Sequence, residues 1–88
     1  MKKPEGKYKP TLVYTSAIKA MAQVREFGID KHGSKNGWMT TETFEHFDAA
    51  LRHILAAVEG EWTDKESGLP HIAHAMVNLM FEIERDAE

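Results

Sequence analysis

Eighty-eight residues with no cysteine and a formal charge of −3 suggest a single domain over residues 1–88, without disulfides, thiolate zinc sites or thiol catalysis. The acidic balance argues against broad nucleic-acid binding, which relies on Lys and Arg to neutralise phosphates, and it leaves any metal to oxygen or imidazole ligands. A chain this short buries little more than about 60% of its unfolded surface, so self-association would widen a thin stability margin.

Residues 1 to 10 carry Lys2, Lys3, Lys7 and Lys9 with Pro4, Gly6 and Pro10, which reads as a flexible or extended arm ending at Pro10. Pro4-Glu5-Gly6-Lys7 stands where a signal peptide would place its apolar run, and no stretch approaches the ~20 apolar residues of a membrane span. The expectation is a soluble, cytoplasmic protein.

From a cap at Thr15 or Ser16, the spacing of Ala17, Ile18, Met21, Ala22, Val24 and Phe27 predicts a first helix with Gly28 as its stop. Residues 28 to 41 then form a long loop rich in Gly, Lys and Asn. Its Lys31 and Lys35 offer donors for phosphate, and Trp38 offers a ring for stacking or for the core.

Thr40 or Thr41 caps a second helix that runs to about Glu59, with Gly60 as the stop. Phe44, Phe47, Leu51, Ile54, Leu55 and Val58 share one face, which reads as the core. The opposite face holds Ala49, Ala50, Ala56 and Ala57 with His46 and His53. Small residues let another helix or a partner subunit approach closely, so a helical homo-oligomer assembling through this face is expected.

Glu61-Trp62-Thr63-Asp64-Lys65-Glu66-Ser67 connects to a third helix, opened by Gly68-Leu69-Pro70. His71, His74 and Asn78 fall on one flank at about 100° per residue, and Glu82 and Arg85 extend the line. Ile72, Met76, Leu79, Met80 and Ile83 read as the main buried face, widened by Ala73, Val77 and Phe81. The polar stripe is then either a wet edge or the lining of a pocket. Imidazole and amide groups favour the pocket, because they bind metals or make directed hydrogen bonds. Glu84 to Glu88 read as a fraying end. The fold class is all-α, with three main helices.

Leu51-Arg52-His53, Gly60-Glu61, Asp64 and the run Glu66-Ser67-Gly68-Leu69-Pro70-His71-Ile72-Ala73-His74-Ala75 with Asn78 resemble the small dATP/dGTP diphosphohydrolases of bacterial viruses, sometimes called MazZ. Phe27-Gly28, Lys31-His32-Gly33 and Asn36 to Trp38 resemble that family's upstream loop. In outline it is similar to the MazG-like all-α pyrophosphohydrolases, helical oligomers that cleave a nucleoside triphosphate to monophosphate and pyrophosphate. The chain departs from the MazG pattern, which holds magnesium with Glu-Glu-x-x-Glu and Glu-x-x-Asp. It carries Arg52-His53 and His71-x-x-His74 in their place.

The resemblance implies a hydrolase acting on a purine nucleotide. Arg52, Lys31 and Lys35 would neutralise phosphate oxygens, and Asn36, Trp38 and Asn78 would contact base or sugar, with Trp62 as a second stacking ring. His53, His71, His74 and Asp64, with Glu61 or Glu66, would bind a divalent ion or supply a general base. Among Mg, Mn, Co and Zn, imidazole favours the transition metals, whereas Mg prefers oxygen. The same residues also suit a viral protein that sequesters a nucleotide without turnover, or a helical module whose histidines only mediate packing. Metal dependence and nucleotide-induced stabilisation separate these readings.

Overall fold

Gly33, not Gly28, ends the first helix. In the computed structural model, which describes residues 6–87, α1 runs from Thr15 to His32 and Gly33 follows in the left-handed conformation at φ 76°. The Gly33 amide donates to the Ile29 carbonyl at 2.7 Å, closing the helix with a residue that lacks the Cβ penalty of that conformation. Gly28 is merely an interior glycine, a cost of about 1 kcal/mol that flanking helix formation absorbs. Lys31 and His32 therefore lie on the last turn of α1, where their charge also suits the helix dipole. The true loop is shorter than expected and contains one 3-10 turn, Gly37–Thr40.

The second helix, α2, spans Thr43–Val58. Its cap is Glu42 rather than a threonine, because Glu42 and Glu45 satisfy each other's backbone amides reciprocally. The third, α3, spans His71–Asp86 with Pro70 as the cap residue, so most of the charged tail is helical. Of the arm, residues 1–5 lie outside the described residues; Pro10–Leu12 form a single 3-10 turn. No strand occurs among the described residues, and no helix is long and apolar enough to cross a membrane.

The third helix packs against both others, and its orientation reverses the expected burial. His71, Ala73, His74, Ala75 and Val77 are its buried residues, while Ile72, Met76, Leu79 and Ile83 are exposed, Ile83 by 73%. The same holds for α2. His46 and Ala50 are buried there, and Phe44, Leu51, Leu55 and Val58 face outward. The small face of α2 is thus turned inward, with Ala50 buried and Ala49, Ala56 and Ala57 half-buried. On α1, Val24 is buried as expected, but Ile18 is 52% exposed. The apolar core is correspondingly slight, with Val24, Ala73 and Val77 at its centre and Met21, Leu69, Met80 and Phe81 against it. Alanine at the contact allows α2 and α3 to approach closely, and this close approach is what sets their histidines side by side.

Candidate active site

The loop before α3 is built to hold Asp64. Asp64 Oδ2 accepts from the Ser67 amide at 2.9 Å and from the Ser67 hydroxyl at 2.8 Å. Gly68, at φ 73°, makes the reversal that an L side chain disfavours. The loop is then closed by backbone bonds from Asp64 N to Leu69 O at 2.8 Å and from His71 N to Trp62 O at 2.9 Å. These bonds fix where α3 begins. Asp64 and the first turn of α3 consequently form one rigid unit.

Three histidines converge beside it. His53 Nδ1 and His71 Nδ1 lie 2.8 Å apart, and the far nitrogen of His71, Nε2, meets Glu61 Oε2 at 2.7 Å. The His53 ring stacks on His74 at 4.6 Å and 9°. His74 Nε2 contacts Ser67 Oγ at 2.7 Å and stands 3.6 Å from Asp64 Oδ2. Because the Ser67 hydroxyl donates to Asp64, it is His74 Nε2–H that donates to Ser67, which fixes the tautomer of His74.

The donors suit a cation. His53, Asp64 and His71 each offer one ligand atom, and these atoms lie within 4.8 Å of one another. An ionised Glu61 holds the proton of His71 on Nε2, leaving the Nδ1 lone pair directed at His53. Such a carboxylate–imidazole pairing orients and strengthens a metal-binding histidine from outside the ligand set. In this geometry Glu61 acts on His71 from behind, while His74 sits against the ligand group and is tied to Ser67.

Charges around the site are strongly coupled. Burial, then the neighbouring His74 and His71 imidazoles, pulls the His53 pKa below the ordinary 6.5. Burial also lowers His74, only partly opposed by Asp64. Burial would raise Asp64, but the Ser67 hydrogen bonds and the nearby histidines together bring it below its usual value. The hydrogen bond from His71 is the main cause that lowers Glu61.

In the unfolded chain His53 and His74 regain their ordinary affinity for protons, so below about pH 6.5 the unfolded state binds more protons than the folded one. Their stability contribution is complete above that pH and is lost as the pH falls. Asp64 and Glu61 add losses of the same sign at lower pH. The melting temperature of the metal-free protein is expected to fall between about pH 7.5 and about pH 5.5. Scanning calorimetry checks this, and a flat or rising profile would contradict the buried neutral imidazoles.

The histidine cluster forms one end of a cavity of about 480 Å³ between the three helices, within the usual range for small-molecule sites. Lys31, Trp38 and Asn78 line it, together with His53, Asp64 and His74. Lys31 reaches this end, pairing with Glu66 at 2.8 Å. Trp38 stacks on Phe81 at 4.8 Å and 6°, so one of its faces is covered by the protein. Asn78 donates to the His74 carbonyl at 3.0 Å. Arg52, Lys35 and Asn36 are exposed and lie outside the lining. The Lys35 carbonyl instead accepts from Arg25 at 2.8 Å, fastening the loop to α1. Trp62 is likewise 59% exposed and away from the cavity.

Two features of the site went unassigned in the sequence. Ser67 joins Asp64 to His74, a link that only the folded loop reveals. At the far end, His46 pairs with Glu82, which also accepts from Thr43 Oγ1 at 2.8 Å and meets Arg85 at 3.2 Å. Signals for this second pair existed. His46 and His53 are seven apart on one face, and Glu82 continues the His74 and Asn78 line at four-residue steps.

Over 77 residues the chain is 34% identical to a dATP/dGTP diphosphohydrolase of Salmonella phage PMBT28, covering 88% of this chain and 26% of that protein. The chain thus spans about a quarter of the length of this relative. No solved structure matches it. A model of the family described as dATP/dGTP diphosphohydrolase, N-terminal, matches residues 1–88, and the chain belongs to that family.

Proposed function

We propose that the cavity hydrolyses a purine deoxynucleoside triphosphate, of the dATP or dGTP kind that the phage relative is named for, to the monophosphate and pyrophosphate. The observation that carries this reading is the His53, Asp64 and His71 cluster, of which His53 and Asp64 line one end of a cavity that Val24, Phe27, Val77 and Phe81 also line. Its donor set of imidazoles and one carboxylate fits Mn, Co or Zn better than Mg. When bound, a divalent ion there supplies Lewis acidity toward phosphate oxygens and water.

The chain's own groups do the rest. Lys31 neutralises phosphate charge at the same end, and the dry face of Phe81 and Val77 bounds the nucleoside. Water attacks the α-phosphorus, the bond to the α–β bridging oxygen breaks, and pyrophosphate leaves with that oxygen. His74, whose Nε2–H is held by Ser67, would accept the proton of the water on Nδ1. The substrate pool is that of the host cytoplasm.

Chromatography of products after incubation with each deoxynucleoside triphosphate, with and without Mg, Mn, Co or Zn, tests the reading. Metal-dependent monophosphate and pyrophosphate are expected. Intact triphosphates that nonetheless raise the melting temperature would instead make this a nucleotide-binding protein.

The outward apolar face of α2 and α3 supports a homo-oligomer, since exposed patches of this extent mark association surfaces. Leu55→Glu is expected to shift the sedimentation coefficient to that of a monomer. An unchanged coefficient, or a monomeric parent chain, would contradict assembly through this face.

A further inference from the structure

We propose that His46 and Glu82 form a base-reading pair that selects a nucleobase presenting an amino N–H, an inference that rests on the nucleotide reading above. His46 lines the cavity away from the histidine cluster, and Glu82 backs it from outside the lining. His46 and His53 are seven residues apart on the same face of α2, about 10 Å along the helix axis. That is the reach from the phosphates to the far edge of the base in an extended nucleotide.

The polarity of the pair follows from its partners. Glu82 takes hydrogen bonds from His46 and Thr43 and is ion-paired with Arg85, and those contacts, that of His46 first, hold its carboxyl below the usual range, in the ionised form. An ionised carboxylate only accepts, so the proton of His46 sits on Nδ1. The other nitrogen, Nε2, has no hydrogen-bond partner among the described residues, yet the ring is only 4% exposed and lines the cavity. With its Nδ1 proton held by Glu82, His46 in its neutral form offers the Nε2 lone pair inward.

Glu45, next to His46 on α2, lines the same end and adds a second acceptor. This wall repels phosphate and is complementary to base N–H groups. Lys31, at the opposite end with Asp64 and His74, attracts the triphosphate. The two ends thus impose one direction on a bound nucleotide. A site built to accept from an N–H disfavours an analogue lacking it, because the acceptor it presents then meets no donor.

Deletion of the amino group from the ligand tests the pair without altering the protein. With the full chain and metal present, KM and kcat would be measured for dGTP against dITP, and for dATP against the 6-unsubstituted purine deoxynucleoside triphosphate. Tripolyphosphate serves as a probe without a base. At least one amino-bearing member is expected to have a KM lower than its analogue by about tenfold or more, with tripolyphosphate inhibiting all substrates equally. Glu82→Gln frees the tautomer of His46 and is expected to bring that KM ratio toward unity with tripolyphosphate inhibition unchanged.

Equal KM values within both wild-type pairs would overturn the base-reading pair while leaving the hydrolase standing. So would a ratio that survives in both Glu82→Gln and His46→Leu, each checked for helical circular dichroism. Failure of every triphosphate and of tripolyphosphate to bind would overturn the nucleotide reading and this inference together.

Discussion

Replacing His71 with alanine is expected to lower kcat/KM for the preferred triphosphate by at least about a hundredfold, more than the 10–100-fold typical of losing an outer-shell partner. Two contacts meet on this one ring. Its Nδ1 lies 2.8 Å from His53 Nδ1, and its Nε2 lies 2.7 Å from Glu61. Removing it takes away a ligand atom and releases the carboxylate that orients it. Glu61→Gln, which removes only the outer carboxylate, is expected to cost about 10–100-fold in metal affinity. The ordering of these two losses distinguishes a ligand from a group that positions one. Steady-state kinetics with metal titration checks both, and His71→Ala activity within a few-fold of the parent would remove His71 from the machinery. The helical circular-dichroism spectrum is expected to persist, since alanine is the best helix former.

The second large effect concerns packing. Ala75→Leu is expected to destabilise the fold by about 1–3 kcal/mol, the usual cost of forcing extra methylenes into a filled contact. Ala75 is 3% exposed on the face of α3 that carries His71, Asn78 and Glu82, and Ala50 is 2% exposed on the His46 and His53 face of α2. Leucine at either position pushes the helices apart and separates His53 from His71 with them. Ala75→Leu should therefore lose metal affinity as well as stability, read from urea midpoints and metal titration on the same preparation. A leucine variant as stable as the parent would place the helix contact elsewhere.

Helix existence was legible in the sequence because apolar period, capping residues and glycine stops are local signals. The boundaries that moved did so for local reasons too. Gly33 had the left-handed role that Gly28 was expected to fill, and Glu42 with Glu45 made a reciprocal cap stronger than a lone threonine. What the periodicity left open was which face turns inward. Leu51, Leu55, Ile72 and Ile83 do share faces as their spacing says, but those faces point outward. Hydrophobic pattern reports that a face seeks burial, not whether the burying partner is the same chain. The alanine and histidine faces closed on each other instead, because small side chains permit close approach and hydrogen bonds satisfy the imidazoles.

The site divides in the same way. His53, Asp64, His71 and His74 come together as their types and spacing suggested, with Lys31, Trp38 and Asn78 along one cavity. Arg52 lies outside it because a residue adjacent to His53 on a helix is turned about 100° away. Lys35 and Asn36 lie outside because the shortened loop is bound to α1 through the Lys35 carbonyl. The Ser67 link and the His46–Glu82 pair depend on contacts between distant segments, which no local pattern specifies.

Titration of the metal-free protein with Co²⁺, followed by visible absorption, tests the central claim most directly. One ion per chain is expected, with an absorption band that His71→Ala and Asp64→Asn each abolish and that appears in step with pyrophosphate release. Absence of a bound ion, or a band unchanged in both variants, would contradict the assignment of His53, Asp64 and His71 as the metal-holding centre of the proposed active site.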